Sequence, residues 1–368
     1  MRIGIIGAGQ LGQMLGYAAA ELGQSCYFLD PSAHPPAAKV GPVIQARFDD
    51  RVALAILAEK CDVLTYEFEN VPVEALVDVA NIAALYPPPD ALQHAQDRLA
   101  EKQLFESLDI PIPAYRPIES ADDIAGAAAA IGLPLVVKTR RMGYDGKGQI
   151  VLHELGQVED GWQSLGGSAL IAEQWVEFDY EVSAIGVRNV DGDVATYCLT
   201  QNEHVGGILR VSRAPVEDAA LTACAERYMH RLLERLDYVG VLALELFVLG
   251  DELLANEFAP RVHNSGHWTI EGAETSQFTN HLLAITNQRP GPTGNVGHAG
   301  MLNLIGTIPQ AARQLEAGCL HDYGKTPRPG RKLGHITVIA NSSEDRDRQI
   351  REISDSVTKC SGQQGTGT

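Results

Sequence analysis

Two acidic residues, Glu245 and Glu257, stand out because each interrupts an otherwise apolar run, Val241-Leu242-Ala243-Leu244-Glu245-Leu246-Phe247 and Leu253-Leu254-Ala255-Asn256-Glu257-Phe258. Gly250-Asp251 between the runs has turn chemistry, so the pair reads as a hairpin. Side chains alternate faces along a strand. A three-residue loop, 250–252, sets Glu245 opposite Glu257 on one face; a two-residue loop sends Glu257 to the other face unless a bulge intervenes. Carboxylates about 5 Å apart repel and raise each other's pKa. A cation relieves that conflict, and hard oxygen ligands completed by phosphate oxygens suit Mg²⁺. The plainer alternative is two acids paired with Arg or Lys.

A second constellation lies upstream. The apolar run Leu135-Val136-Val137 ends in Lys138 and Thr139-Arg140-Arg141, then Gly143-Tyr144-Asp145-Gly146-Lys147-Gly148-Gln149, before Ile150-Val151 resumes. This is a hairpin with a glycine-rich tip. Its glycines let backbone N–H groups approach anionic oxygens, and Lys138 on a rigid strand supplies fixed positive charge. An ordinary exposed hairpin is the alternative. Glu173-Gln174-Trp175-Val176 follows another strand and suits an adenine and ribose edge, with Glu173 or Glu181 accepting from ribose hydroxyls. Beyond Glu257 the chain reads Pro260-Arg261-Val262-His263-Asn264-Ser265-Gly266-His267-Trp268-Thr269, too polar for core. Arg261 is placed to hold a small oxyanion. His263 or His267 has the commoner alternative of a structural hydrogen-bonding role.

The elements that position these groups alternate in type. A strand at 2–6, the turn Gly7-Ala8-Gly9-Gln10-Leu11-Gly12, a helix at 13–22, a strand at 25–29 ending in Asp30, a helix near 52–60 and a strand at 63–65 predict a doubly wound parallel sheet for the first 90 residues. Gly7 to Gly12 is the dinucleotide fingerprint with an acid at the next strand end. Its alternative is a tight turn whose helix N-terminus holds another phosphate or none. Tyr86-Pro87-Pro88-Pro89 marks a boundary. A helix over 91–107, a second over 121–131, and strands within 169–187 and 239–258 follow, then a small unit with strands near 301–305 and 335–339. The tail 361–368 is expected to be disordered. No internal repeat is evident.

Composition narrows the class. The chain has 368 residues, 45% hydrophobic and 21% charged, with a formal net charge of -18. That length predicts more than one core, and that charge disfavours nucleic acid and anionic membrane as partners. An anionic substrate then needs a locally basic pocket, for which Lys325, Arg328, Arg331 and Lys332 are available. The six cysteines, Cys26, Cys61, Cys198, Cys224, Cys319 and Cys360, include no Cys-x-x-Cys pair and read as cytosolic thiols. The first apolar run is cut by glycines, which argues against a signal peptide.

Taken together, these residues resemble the ATP-grasp enzymes, and most closely the ATP-dependent synthetases that carboxylate aminoimidazole ribonucleotide in purine biosynthesis. Gly9-Gln10-Leu11-Gly12, Tyr66-Glu67-Phe68-Glu69-Asn70-Val71-Pro72, Asp97-Arg98 with Lys102, and Pro329-Gly330-Arg331-Lys332-Leu333-Gly334-His335 carry the likeness, beside 138–149 and 256–269. It implies an ATP-grasp fold of α/β and α+β type: a Rossmann-like domain at 1–97, an ATP-grasp domain at 98–297 with a lid hairpin around 138–190, and a small β-rich domain at 298–368. It implies ATP contacts at Arg98, Lys138, Gly143, Tyr144, Asp145, Gly146, Lys147, Gly148, Gln149, Glu173, Gln174, Trp175, Val176, Glu181, His204, Asn256 and Glu257. Glu245 and Glu257 become Mg²⁺ ligands. The ribonucleotide falls to Gln10, Leu11, Glu67, Tyr144, Asp145, Lys147, Asn264, Lys325, Arg331 and Lys332, although Asp322 stands where an aromatic residue is expected before Tyr323. Lys138, Lys147, Arg261 and His263 are the implied catalytic set, with bicarbonate as co-substrate. The resemblance further implies a homodimer without NAD or biotin, the glycine turn serving the substrate side. Formate-using and biotin-dependent ATP-grasp enzymes, a nicotinamide oxidoreductase, and a catalytically dead nucleotide-binding regulator, which the intact acids and Lys138 argue against, are the rival readings.

Overall fold

A computed structural model describes residues 1–143, 146–167, 169–315 and 317–362. Strands β1 Arg2–Ile6, β2 Ser25–Asp30, β3 Val43–Gln45 and β4 Val63–Tyr66 form a parallel sheet in the order β3-β2-β1-β4. Parallel neighbours need crossovers, and the helices Gln10–Glu21 and Arg51–Lys60 supply them. Ile3, Ile5, Ile6, Phe28 and Leu29 are all fully buried, as expected of strands covered on both faces. The strand order reverses at β1, which places the glycine turn in the crevice where such sheets bind ligands.

The second layer is antiparallel. Strands β5 Tyr115–Ile118, β6 Leu135–Thr139, β7 Gln149–Leu152 and β8 Leu170–Gln174 run in the order β5-β8-β6-β7. Ile118, Leu135, Val137, Leu152 and Leu170 pack with Ile124 of the helix Ala121–Ile131 into a core of their own. The alternate residues Val136, Lys138, Val151 and Glu173 line the cleft on the opposite face.

The remaining strands are β9 Tyr180–Arg188, β10 Val194–Thr196, β11 Thr200–Val205, β12 Ile208–Ala214, β13 Gly240–Leu249, β14 Glu252–Ala259, β15 His298–Ile305, β16 Cys319–Asp322 and β17 Lys332–Ala340. They form one antiparallel sheet along the path β14-β13-β9-β11-β12-β15-β17-β16, with β10 on β9. The expected division between 297 and 298 therefore falls between strands of a single sheet, since Ser212 of β12 pairs with Met301 of β15.

Several helices depart from the sequence reading. The expected helix over 91–107 is two, Pro89–Ala95 and Arg98–Ser107, because the Asp97 backbone is extended and its side chain caps the second by accepting from Leu99 N at 3.0 Å. Ala219–Arg235, unanticipated, buries Leu221, Ala225, Met229, Leu232 and Leu233 along one stripe. Ser343–Gly362 is a charged helix reaching into the expected disordered tail, whose residues 363–368 lie outside those described. No described helix is long and apolar enough to cross a membrane.

Asp218 caps the helix Ala219–Arg235 through Ala220 N and Leu221 N, both at 2.9 Å. Asp218→Ala is expected to cost about 1 kcal/mol, read as a lowered urea midpoint with unchanged slope.

Candidate active site

The hairpin carrying the acids turns in two residues, Gly250-Asp251, pairing Leu249 with Glu252. That register alone would send Glu257 to the far face. A β-bulge prevents it: Leu246 pairs with Ala255, then Glu245 pairs with Glu257, and Asn256 is the extra residue. Bulging frees the Asn256 carbonyl from the ladder, and buried Lys102 donates to it at 2.6 Å. Burial and the nearby Glu257 charge push the Glu245 carboxyl up to about 7. Glu257 goes the other way. Burial opposes its ionisation, but the charges of Arg98 and Lys138 outweigh it and hold the carboxyl below its usual range; Arg98 Nη1 lies 3.0 Å from Glu257 Oε2.

Across the cleft, Lys138 Nζ sits 3.0 Å and Lys102 Nζ 3.5 Å from Glu173 Oε2. Glu173 is 2% exposed. Burial disfavours its charge, yet the two ammonium groups win and lower its pKa to about 2. Its Oε2 thus orients two lysines, while Oε1, buried without a partner, stays available in the cleft for the ribose contact expected of it. Glu181, the other candidate, borders the cleft and pairs with His204 Nδ1 at 2.5 Å. Trp175, Val176, Phe178 and Phe247 form an apolar wall, the two phenylalanine rings stacked at 4.7 Å.

The flap between β6 and β7 is pinned at its base. Arg98 N donates to Arg140 O, while Arg140 grips Asp97 with two bonds of 2.9 and 2.7 Å. Its tip crosses the cleft to the β11–β12 turn: a Cβ on Gly146 would meet Gly206 O at 3.2 Å. Gly143, Gly146, Lys147 and Gln149 line the cleft, and Gly148 does not. Tyr144 and Asp145 lie outside the described residues.

On the third side, Arg261 Nη2 pairs with Glu69 Oε1 at 2.7 Å, joining the large sheet to the first domain. His263 Nε2 is 3.4 Å from Glu245 Oε1. Burial, with Arg261 and Lys332 nearby, drives this imidazole well below its usual pKa. Asn264 exchanges amide bonds with Asn303. His267 is fully buried against Phe278 and His335, away from the cleft.

The glycine turn is internally occupied. Gly9 N donates to Glu67 Oε1 at 2.6 Å and Ala8 N to Asp30 Oδ2 at 2.9 Å, so two N–H groups of the turn are bonded to carboxylates. Gln10 and Leu11 reach the cleft, and Lys325 Nζ donates to Gln10 Oε1. Burial, then the charges of Arg331 and other basic neighbours, lower Lys325 to about 8. Glu67, Lys325 and Arg331 do not themselves line the cleft of about 450 Å³, whereas Lys332 does. Sequence reasoning gave no role to Glu69, Glu101, Phe178 or Phe247. Phe247 was within reach, being two residues from Glu245 on one strand face; Glu101, on a charged helix, carried no signal.

Family models match the chain in three consecutive pieces: a ribonucleotide synthetase preATP-grasp domain over 1–96, an ATP-grasp domain over 103–278 and a phosphoribosylaminoimidazole carboxylase C-terminal domain over 299–349. The N5-carboxyaminoimidazole ribonucleotide synthase of Pseudomonas aeruginosa is 46% identical over 355 residues, 96% of this chain and 98% of that one. The synthase of Brucella melitensis is 45% identical over 347 residues, 92% and 96% of the two chains. Among solved structures, the Thermus thermophilus synthetase superposes with a TM-score of 0.93 at 48% identity, covering 96% of this chain and 98% of that one. An Aspergillus clavatus synthase in complex with ADP and aminoimidazole ribonucleotide gives 0.90 at 29% identity, covering 97% and 98%.

Glu101 is 2% exposed, accepts from Phe258 N at 2.7 Å, and is pushed up to about 8, chiefly by burial. The folded state therefore keeps a proton that the unfolded chain releases near its ordinary pKa. Stability should fall as pH rises through the interval between the two values. Glu101→Gln is expected to flatten that slope in unfolding free energies measured from pH 5 to 8.5.

Proposed function

Because the chain belongs to the N5-carboxyaminoimidazole ribonucleotide synthase family of ATP-grasp ligases, we propose a division of labour among its residues for the ATP-dependent carboxylation of aminoimidazole ribonucleotide in purine biosynthesis. The observation that carries this reading is the pairing of Glu245 with Glu257 on one sheet, with Lys138 of the lid sheet and Lys102 of the helix Arg98–Ser107 gathered on Glu173 across from them. The nucleotide lies between the two sheets. Its base stacks toward the wall at Trp175, Val176, Phe178 and Phe247, and its phosphates extend to Arg98, Lys138 and Lys147 under the flap.

The paired carboxylates fit Mg²⁺: they are hard donors, and burial together with the Glu257 charge lifts Glu245 to about 7. Among the described residues no three acids, histidines or cysteines converge to hold a metal, so its other ligands come from phosphate and water. When bound, Mg²⁺ neutralises charge on the transferring phosphates.

Bicarbonate is a poor electrophile because its charge is delocalised and its leaving group is hydroxide. Phosphoryl transfer from ATP to a bicarbonate oxygen gives carboxyphosphate and ADP. The substrate amine then takes the carboxyl group, and phosphate leaves. Arg261 and His263 hold the one-carbon oxyanion, Arg261 being oriented by Glu69. The ribonucleotide phosphate is drawn by Lys325, Arg331 and Lys332 beside Gln10. The flap excludes water from the labile mixed anhydride. Tyr144, Asp145 and Asn264 complete the substrate set. The protein works as a homodimer, in a cytoplasm that suits the free thiols of Cys26, Cys61, Cys198, Cys224 and Cys319.

ADP release measured with and without aminoimidazole ribonucleotide, at controlled bicarbonate, tests the reaction. Stimulation by formate in place of bicarbonate would refute it. Lys138→Ala should lose at least about 2 kcal/mol of transition-state stabilisation, and ADP formation at the parent rate would remove Lys138 from the reaction. Glu257→Gln should abolish Mg²⁺-dependent turnover, checked by titrating the metal against rate.

A further inference from the structure

A row of buried polar side chains crosses the large sheet from the acid pair. Ser183 of β9 pairs across the strands with Glu245, and Asn202 of β11 pairs with Ser212 of β12. Paired residues share a face, so these groups lie on the side that carries the cleft. Ser183, Ser212 and Ser265 are fully buried and Asn202 is 5% exposed. Hydroxyls and an amide in such a place are costly unless bonded. They are bonded in sequence: Ser212 Oγ donates to Asn202 Oδ1 at 2.8 Å, Asn202 Nδ2 to Ser183 Oγ at 3.1 Å, and Ser183 Oγ to Ser265 Oγ at 2.7 Å.

The chain ends on His263 Nδ1, 2.8 Å from Ser265 Oγ. Each hydroxyl has one proton. Ser183 receives the amide N–H and spends its own proton on Ser265, so the Ser265 proton is left for the imidazole. The Ser265 backbone N–H also points at Nδ1, at 3.3 Å. Two donors converge on that nitrogen, which therefore carries no proton. The proton of neutral His263 is on Nε2, the atom on the Glu245 side. Gln277, fully buried, fixes the backbone of the same residue by accepting from His263 N at 3.0 Å and donating to His263 O at 2.7 Å.

We propose that the Ser212–Asn202–Ser183–Ser265 chain locks His263 as its Nε2–H tautomer, so that His263 enters carboxylation as a hydrogen-bond donor to the carboxyl oxygens and not as the base that deprotonates the amine. Ser183 and Ser265 are then positioning residues, acting through His263. This rests on the placement of His263 at the reacting centre. Its cleft-side nitrogen has no lone pair for the amine proton, which goes to another acceptor. What it offers is an N–H aimed where negative charge gathers.

A glutamine side chain can present an N–H near the position of imidazole Nε2 but cannot act as a base. His263→Gln should keep kcat within about tenfold of the parent, while His263→Ala falls by roughly 10²–10³. Ser183→Ala should lower kcat about tenfold with the KM for ATP unchanged, as expected when an orienting partner is lost. Nitrogen-15 spectra of histidine-labelled full-length protein, assigned by the signal missing in His263→Gln, should show an unprotonated Nδ1 and a protonated Nε2. A protonated Nδ1, or a folded His263→Gln as inactive as His263→Ala with the KM for ATP intact, would overturn the proposal. Full turnover in His263→Ala would instead remove His263 from the reacting centre, and the proposal with it.

Discussion

Two carboxylates held face to face on adjacent strands are the strain around which this molecule is arranged. Left alone, Glu245 and Glu257 would share a proton or move apart. The fold holds them together and decides which of the two keeps the proton. The bulge at Asn256 sets the register, and Lys102, buried and bonded to the Asn256 carbonyl, fastens it from behind. Arg98 keeps one acid ionised while burial pushes the other up. The result is a site prepared for added positive charge, in a protein whose formal net charge is -18.

Around that pair, single residues serve two units at once. Asp97 caps the helix that carries Arg98 and, through Arg140, anchors the root of the flap. Flap position and the charge on Glu257 are therefore mechanically joined over a few residues. Glu173 reaches from the lid sheet to bind two lysines, one from each side of the cleft. Glu69 crosses from the parallel domain to orient Arg261. A cleft assembled from three sheets can open and close only by working against these contacts, which suits chemistry that must exclude water.

The glycine turn shows how one local motif supports opposite functions. Its strand, turn, helix and following acid satisfy the dinucleotide pattern. In the folded protein Glu67 arrives from β4's end to take the Gly9 amide, and Asp30 takes that of Ala8. A residue 58 positions away thus takes one of the turn's amides, and no inspection of the turn alone would reveal it.

The strand ends, the parallel β-α alternation, the glycine flap, Lys138 and the two acids were legible because each depends on local pattern: periodicity, turn residues, and charge standing alone in apolar runs. The ladder register was not. A two-residue turn argued against the facing acids, and only the bulge, held by Lys102 from another helix, restored them. The same limit applies to Glu101 and Glu173, whose neighbours across the chain determine whether they are solvated, protonated or locked in ion pairs. It applies to the Ser212–Asn202–Ser183–Ser265 row as well, whose members are unremarkable polar residues until four segments align them. Local sequence determined the elements and the candidate chemistry. Tertiary structure decided the protonation and direction of each group, because those depend on burial and on charges brought together by packing.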